Sequence, residues 1–237
     1  MPSSRLPEFY KLPPAARVAR VQEFASLTDD EAATLRRADA LTLAQADKMI
    51  ENVVGVYGLP LGIATNFLIN GRDYLVPMAI EEPSVVAAAS HAARLLRNDG
   101  GITAIATEPL MIGQVQLLGI ADPHGAAVAL LAAKAEVLAL ANQQDPLLVS
   151  VGGGAKDVEV RVLEHNAVGP MVIVHLIVDV RDAMGANAVN TMAEAVAPRL
   201  AEIAGGEFRL RIISNLADKR LVRARGVVPR EALATET

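Results

Sequence analysis

Apolar residues recur at helical spacing from Pro14 to Ala25, with Val18, Val21 and Phe24 on one side, and that period predicts an amphipathic helix. Thr28-x-x-Glu31 and Thr42-x-x-Gln45 each set a hydroxyl three residues ahead of a carboxyl or amide side chain. That is the pattern of a capping box, so two further helices are expected to open there. The opening of the chain therefore reads as helical and peripheral. Between Ala64 and Pro77, Asn70-Gly71 separates two short apolar runs, and this dipeptide accepts the positive φ angles of a tight hairpin turn. Pro83 is expected in the first turn of a helix, where its missing N–H costs nothing. The helix itself is read from Val85 to Asn98, stopped by Gly100-Gly101.

From about Pro109 the pattern changes. Met111 to Ile120 reads as a strand and Pro123 to Asn142 as one long helix. Val158 to Leu163 and Met171 to Val180 follow as strands, Asn187 to Ala204 as a helix and Phe208 to Ile213 as a strand. The order βαββαβ is that of the ferredoxin-like fold, an antiparallel sheet with helices on one face. Gly152-Gly153-Gly154 and Gly205-Gly206 fall between the predicted elements. Phe208-Arg209-Leu210-Arg211-Ile212 alternates apolar and basic residues, so its apolar face is expected to pack and both arginines to project from the other. The expected class is α+β.

Composition narrows the function. At 237 residues and 52% hydrophobic content the chain can bury a sizeable core. A net charge of -5 with no block of five or more like charges gives no reason to expect a nucleic acid partner. The absence of cysteine excludes disulfides, thiolate metal sites and a cysteine nucleophile. There is no apolar signal core, and no run of the ~20 apolar residues a membrane span needs. A cytoplasmic protein without a membrane partner is expected. His91, His124, His165 and His175 form no i, i+4 pair, so no metal site is expected.

Three places carry candidate chemistry. Asp182-Ala183-Met184-Gly185-Ala186-Asn187 follows a strand and opens a helix, where free N–H groups and the helix dipole can hold a phosphate. Asp182 as a helix cap, and Gly185 as a packing glycine, remain open alternatives. No G-x-G-x-x-G is present, so this is not a Rossmann fingerprint. Asp145, before Pro146 at the end of the long helix, could accept hydrogen bonds from ribose hydroxyls and repel a 2′-phosphate, which favours NAD; an ordinary surface-loop aspartate is the alternative. Glu81 and Glu82 are adjacent in an apolar neighbourhood. One of them can point inward while the other stays wet, and a carboxyl desolvated there would have a raised pKa and could donate a proton near neutral pH; solvation at a helix terminus is the other reading, and the residues alone favour it. The serines show no nucleophile-elbow pattern.

Taken in order, Glu51-Asn52-Val53-Val54-Gly55, Asn66-Phe67-Leu68-Ile69-Asn70-Gly71-Arg72-Asp73, Glu81-Glu82-Pro83-Ser84, Gly152-Gly153-Gly154, Asp179-Val180-Arg181-Asp182-Ala183-Met184-Gly185-Ala186-Asn187 and Ser214-Asn215-Leu216-Ala217-Asp218 resemble class II, bacterial-type hydroxymethylglutaryl-CoA (HMG-CoA) reductases. The resemblance implies interconversion of HMG-CoA with mevalonate and coenzyme A. Two hydride transfers would run through mevaldyl-CoA and mevaldehyde, with NAD as the cofactor most members of the class prefer. It makes Glu82 the catalytic proton donor and acceptor, and Ser84 a contact of the HMG moiety. It puts Asp182, Met184, Gly185, Asn187 and Asn215 in the cofactor site, alongside Asp145, and implies a homodimer or higher homo-oligomer through Glu51 to Gly55. It also implies a large substrate domain over 1–107, incomplete here, an inserted dinucleotide-binding small domain over 108–218, and the start of a return over 219–237. The family's catalytic lysine, a catalytic aspartate and a histidine match nothing before Thr237, and Lys219 lies outside the lysine motif. The chain alone is therefore expected to be an inactive fragment. The competing expectation is a short non-catalytic protein that binds dinucleotide or pairs with a longer subunit.

Overall fold

The computed structural model describes residues 2–37, 39–167 and 169–233; the end of the expected return, 234–237, lies outside them. The chain divides into two compact units, one made of Met1–Ala104 with Ala224–Thr237 and the other of Ile105–Arg223. The α+β class is as expected.

The first unit begins with α1 (Pro14–Ala25), α2 (Asp29–Leu35) and α3 (Leu43–Ala46). Both capping boxes form. Glu31 N–H donates to Thr28 Oγ1 at 3.3 Å and Thr28 N–H to Glu31 Oε2 at 2.7 Å, while the Thr42 and Gln45 pair does the same at 3.3 and 3.0 Å. The second box opens only a single turn, in which Ala46 is buried. Next come β1 (Leu61–Ile69) and β2 (Arg72–Ala79), paired antiparallel with Ile69 opposite Arg72. Asn70 and Gly71 between them take φ of 50° and 75°, as the expected turn requires. Helix α4 (Val85–Arg97) starts later than the proline implied. Ser84 sits at its N-cap with φ 71°, and because a left-handed residue cannot belong to the helix, Pro83 lies in the turn before it. Strand β3 (Ile102–Ala106) follows. Gly101 ahead of it has φ 85°, and a Cβ there would stand 2.4 Å from Leu68 O, so glycine is required on both counts.

This unit is fastened by a half-buried ion pair. Arg97 donates from Nη1 to Asp73 Oδ1 at 2.7 Å and from Nη2 to Oδ2 at 3.2 Å, joining α4 to β2. Ser4, fully buried, donates its N–H to the same Oδ1 at 2.7 Å, and its hydroxyl lies 2.6 Å from that oxygen and 2.9 Å from Phe67 O. Asn66, left-handed at φ 71° beside a bulge in β1, donates its N–H to Ser4 O at 2.9 Å and its side-chain amide to Ser90 O at 3.0 Å. The Arg97 guanidinium foremost, aided by Ser4 against the opposing pull of burial, holds the Asp73 carboxyl well below the ordinary carboxylate range.

The second unit contains β4 (Leu110–Leu118), α5 (Pro123–Ala132), α6 (Lys134–Asn142), α7 (Pro146–Ser150), β5 (Gly154–Leu163), β6 (Met171–Asp179), α8 (Ala186–Ala204) and β7 (Glu207–Ile213). Its sheet has the order β5-β6-β4-β7 and is antiparallel throughout. One face carries Val115, Leu117, Val158, Val172, Val174, Leu176 and Val178, buried against Val189, Met192, Val196 and Leu200 of α8 and Leu130 and Val137 of α5 and α6. The expected long helix breaks at Ala133, and its halves bend by 62°. No proline or glycine causes this. Lys134 pairs with Asp157 of β5, and the Asn142 amide both donates to Ala155 O at 3.1 Å and accepts from Ala155 N–H at 2.7 Å, so tertiary bonds draw α6 onto the sheet. Among the described residues no single helix is long and apolar enough to cross a membrane.

The alternation expected of β7 does not hold. Its register shifts between the partners of Val115 and Leu117, which face Arg211 and Phe208, so Arg209 and Leu210 together oppose one residue of β4. Such a bulge swaps the faces beyond it. Leu210 and Ile212 are consequently 47% and 45% exposed, while Arg211 turns to the helix side, over the Phe208 ring at 5.1 Å, and pairs with Glu194 of α8.

Strand β8 (Val222–Gly226) and α9 (Arg230–Leu233) complete the described elements, and a four-stranded sheet runs β2-β1-β3-β8. Within the second unit its two ends are clasped. Thr107 N–H donates to Leu221 O at 2.9 Å, Leu221 N–H to Thr107 Oγ1 at 2.9 Å, and Thr107 Oγ1 to Lys219 O at 2.7 Å.

Two stability outcomes follow. Leu117→Ala empties a fully buried site and is expected to cost about 2–5 kcal/mol, read by chemical denaturation of the second unit. A carboxylate with a depressed folded pKa stabilises above its ordinary value of 3.8 and loses that stabilisation as pH falls. The first unit is expected to weaken on acidification below about pH 4. Asp73→Asn should flatten that acid limb and, by removing the charged partner of a half-buried guanidinium, cost about 1–3 kcal/mol at neutral pH.

Candidate functional site

In the first unit the turn Glu81-Glu82-Pro83-Ser84 leads into α4. Ser84 is the helix N-cap, yet its hydroxyl makes no capping bond, which leaves it free for a ligand. It lines a cavity of about 1030 Å³ together with Arg5, Arg17, Asn66, His91 and Arg94. The walls come from the N-terminal segment, α1, β1 and α4. Arg94 Nη2 lies 3.1 Å from His91 Nδ1, and among the described residues neither Arg5 nor Arg94 has a carboxylate partner. The cavity therefore offers cationic groups beside apolar Val18, Val21 and Val86, with one carboxylate, Glu8, on its wall and that one paired with Lys11. Of the two readings of the Glu81-Glu82 pair, the structure has the solvated one: both side chains are exposed, because the turn ahead of α4 runs on the surface.

In the second unit antiparallel register brings separate loops to one end of the sheet. Leu110 and Gly154 both pair with Asp179, so Gly152-Gly153-Gly154 and the segment after β6 lie side by side. Asn215 follows β7 at the same end, where Ser214 N–H donates to Ile112 O at 2.7 Å. Asp182, Met184, Asn187 and Asn215 are exposed. Asp182 does not cap α8. Gly185 does, at φ 93° and with no side-chain cap, and a Cβ on it would stand 2.7 Å from both Met111 Sδ and Val180 Cγ1. Packing and backbone conformation both demand glycine there, and the first N–H groups of a long helix are left uncapped, where its dipole favours an anion.

Asp145 does not end a long helix, nor does it sit in a plain loop. It is the N-cap of α7, a short helix the sequence pattern did not predict, and its Oδ1 accepts from Leu148 N–H at 2.9 Å. Five helical residues, a rise of about 7.5 Å, separate it from the triple-glycine loop.

Sequence reasoning missed two cations here. Arg181, left-handed at φ 52°, donates its N–H to buried Asp179 Oδ1 at 2.9 Å and its guanidinium to Gly152 O. Lys156 donates to Gly152 O at 2.8 Å and Gly153 O at 3.0 Å. Arg181 thus ties the glycine loop to the segment after β6, and Lys156 braces the same loop from β5. A positive φ at an arginine has no sequence signature, and glycine carbonyls do not advertise their partners. His175 is buried with Nδ1 unpartnered, and burial foremost, with Arg161, lowers its pKa, so it is held neutral in the strand. Among the described residues no group of three or more His, Asp or Glu side chains could hold a metal ion.

Comparison with known proteins follows the same geometry. Residues 14–237 match the sequence model of the family described as Hydroxymethylglutaryl-coenzyme A reductase. The chain is 56% identical over 234 residues to the 3-hydroxy-3-methylglutaryl-coenzyme A reductase of Archaeoglobus fulgidus, an alignment covering 99% of this chain and 53% of that protein. Two solved structures of the Streptococcus pneumoniae reductase superpose with TM-scores of 0.89 and 0.90 at 38% identity, each over 96% of this chain and 61% of theirs; the second is a class II enzyme bound to NADPH in open conformations. The chain thus spans about half the length of the Archaeoglobus relative. Across that span, the sequence match and the superposition agree that it belongs to the hydroxymethylglutaryl-coenzyme A reductase family.

Proposed function

We propose that this chain carries the substrate and cofactor sites of an enzyme that interconverts HMG-CoA with mevalonate and coenzyme A through two hydride transfers. The observation that carries this is the placement of Ser84 on the wall of the 1030 Å³ cavity, with Glu82 in the same turn. Residues 1–107 hold the substrate, 108–218 the cofactor, and 219–237 begin the return. The uncapped Ser84 hydroxyl hydrogen-bonds the HMG moiety. Arg5, Arg94 and His91 suit the phosphates of an acyl-CoA. Glu82 donates and accepts the proton at the reacting carbonyl, from a turn whose carboxylate is exposed and free to reorient.

The cofactor, when bound, supplies or accepts hydride through its nicotinamide. The residues that fit it are those at one end of the second sheet. The uncapped N–H groups following Gly185 hold its phosphates, and Asp182, Met184, Asn187 and Asn215 surround them. Arg181 and Lys156 keep the adjoining glycine loop in place. Asp145 spends one carboxylate oxygen on capping α7, which leaves Oδ2 for a ribose hydroxyl. Its charge repels a 2′-phosphate, so we assign NAD to this chain, in contrast to the NADPH in its Streptococcus pneumoniae neighbour.

Glu51 to Gly55 is proposed as the homodimer surface. Supporting this, Val54 of that segment is 100% exposed, and Val56 and Tyr57 just after it are 47% and 86% exposed.

Calorimetry on the 237-residue chain tests the cofactor assignment. NADH is expected to bind more tightly than NADPH, and Asp145→Asn, which preserves the helix cap, to weaken NADH about tenfold and narrow the difference. Equal affinities in the unaltered chain would refute the NAD assignment. Sedimentation tests the dimer: Val54→Glu is expected to shift the chain to monomer, and an unchanged sedimentation coefficient would remove this surface from consideration.

A further inference from the structure

The N-terminal segment forms one wall of the first unit's cavity. Arg5, Leu6, Pro7, Glu8, Phe9 and Tyr10 all face it, yet the segment makes no strand pairing and little of it is buried. What holds it lies at its two ends. At one end, Ser4 is fully buried and bonded through its N–H and hydroxyl to Asp73 Oδ1, and through its carbonyl to Asn66 N–H. Arg97 grips the same carboxylate through both terminal nitrogens. At the other end, Arg17 of α1 donates from Nε to Leu12 O and from Nη2 to Tyr10 O, each at 2.8 Å. Asp73, Arg97 and Ser4 themselves do not line the cavity.

We infer that Asp73, Arg97 and Ser4 are positioning residues for the bound acyl-CoA, acting through the N-terminal strap whose residues 5–10 form the cavity wall. This rests on the reading of that cavity as the acyl-CoA site. A wall anchored only at its ends keeps its place as long as both anchors hold. Releasing Ser4 lets Arg5, a cation without a carboxylate partner, leave the cavity edge, and opens the site to solvent. The half-buried carboxylate suits this task, because one charged oxygen accepts from the Ser4 N–H, from the Ser4 hydroxyl and from Arg97 together, and charged acceptors make the stronger bonds.

The test measures coenzyme A and NADH binding to the 237-residue chain by calorimetry, for the unaltered protein and for Ser4→Ala and Asp73→Asn. Both variants are expected to bind coenzyme A about tenfold more weakly, the scale of one or two lost hydrogen bonds, with NADH affinity unchanged. Hydrogen-exchange protection of β1, β2 and α4 is expected to persist in both variants, which separates a displaced strap from an unfolded first unit. Hydrogen exchange on the unaltered chain gives a reading independent of how the variants fold: coenzyme A is expected to slow exchange at the Leu6, Phe9 and Lys11 amides. Unaltered coenzyme A affinity in both variants, or no slowing at those amides on saturation, overturns the strap's role while leaving the cavity assignment standing. If the unaltered chain binds NADH but no coenzyme A, the acyl-CoA reading of the cavity fails and the strap proposal falls with it.

Discussion

A carboxylate drawn partly out of water must find partners, and in the first unit the partners Asp73 finds determine what its neighbours can do. Its two oxygens draw in Arg97 from the end of α4 and Ser4 from the start of the chain, so hairpin, helix and N-terminal segment meet at one charge. The left-handed Asn66 completes the junction, with its N–H on Ser4, its amide on Ser90 and its carbonyl toward Arg97. Arginine suits this place better than lysine, since its planar fork meets both carboxylate oxygens at once. The orientation of α4, and with it the position of Ser84 at the helix start, depends on that junction.

The second unit solves a different problem with apolar packing. Its sheet buries one face under α8 and the bent pair α5 and α6, and antiparallel pairing brings the connections to a shared edge. The glycine loop, the turn after β6 and the residues after β7 come from distant parts of the sequence, and register alone makes them neighbours. Gly185 has a double duty. It packs against Met111 and Val180 while leaving the helix behind it uncapped, so the same absence of a side chain serves the core and the proposed anion site.

What was legible in the sequence was what short-range chemistry decides. Asn70-Gly71 made its turn, Thr28 and Thr42 made their capping boxes, and the βαββαβ order appeared because each period is set by residues close in sequence. Apart from the late start of α4 and the short helix α7, the failures were long-range. The break at Ala133 occurs in a run of good helix formers and follows from bonds to β5. The β7 bulge inverted an apparently clean alternation because pairing with β4, not the pattern within β7, sets which side faces the core. Ser4, Arg181 and Lys156 look like ordinary polar residues until partners far along the chain appear beside them. The Glu81-Glu82 pair was found by its order among other motifs, and its surroundings proved more open than its apolar neighbours in sequence suggested.

The clasp between Thr107 and the Lys219–Leu221 segment has a consequence for the chain as a polymer. Joining the ends of a long inserted segment carries an entropic cost that grows only with the logarithm of its length, and the hydrogen bonds at Thr107 offset that cost inside the insert itself. With entry and exit held together, the first unit experiences the second as a short, closed loop, whatever its length. An insert closed in this way can gain or lose residues in its outer connections without disturbing its host. It is also suited to being cut out or circularly permuted as a folding unit in its own right.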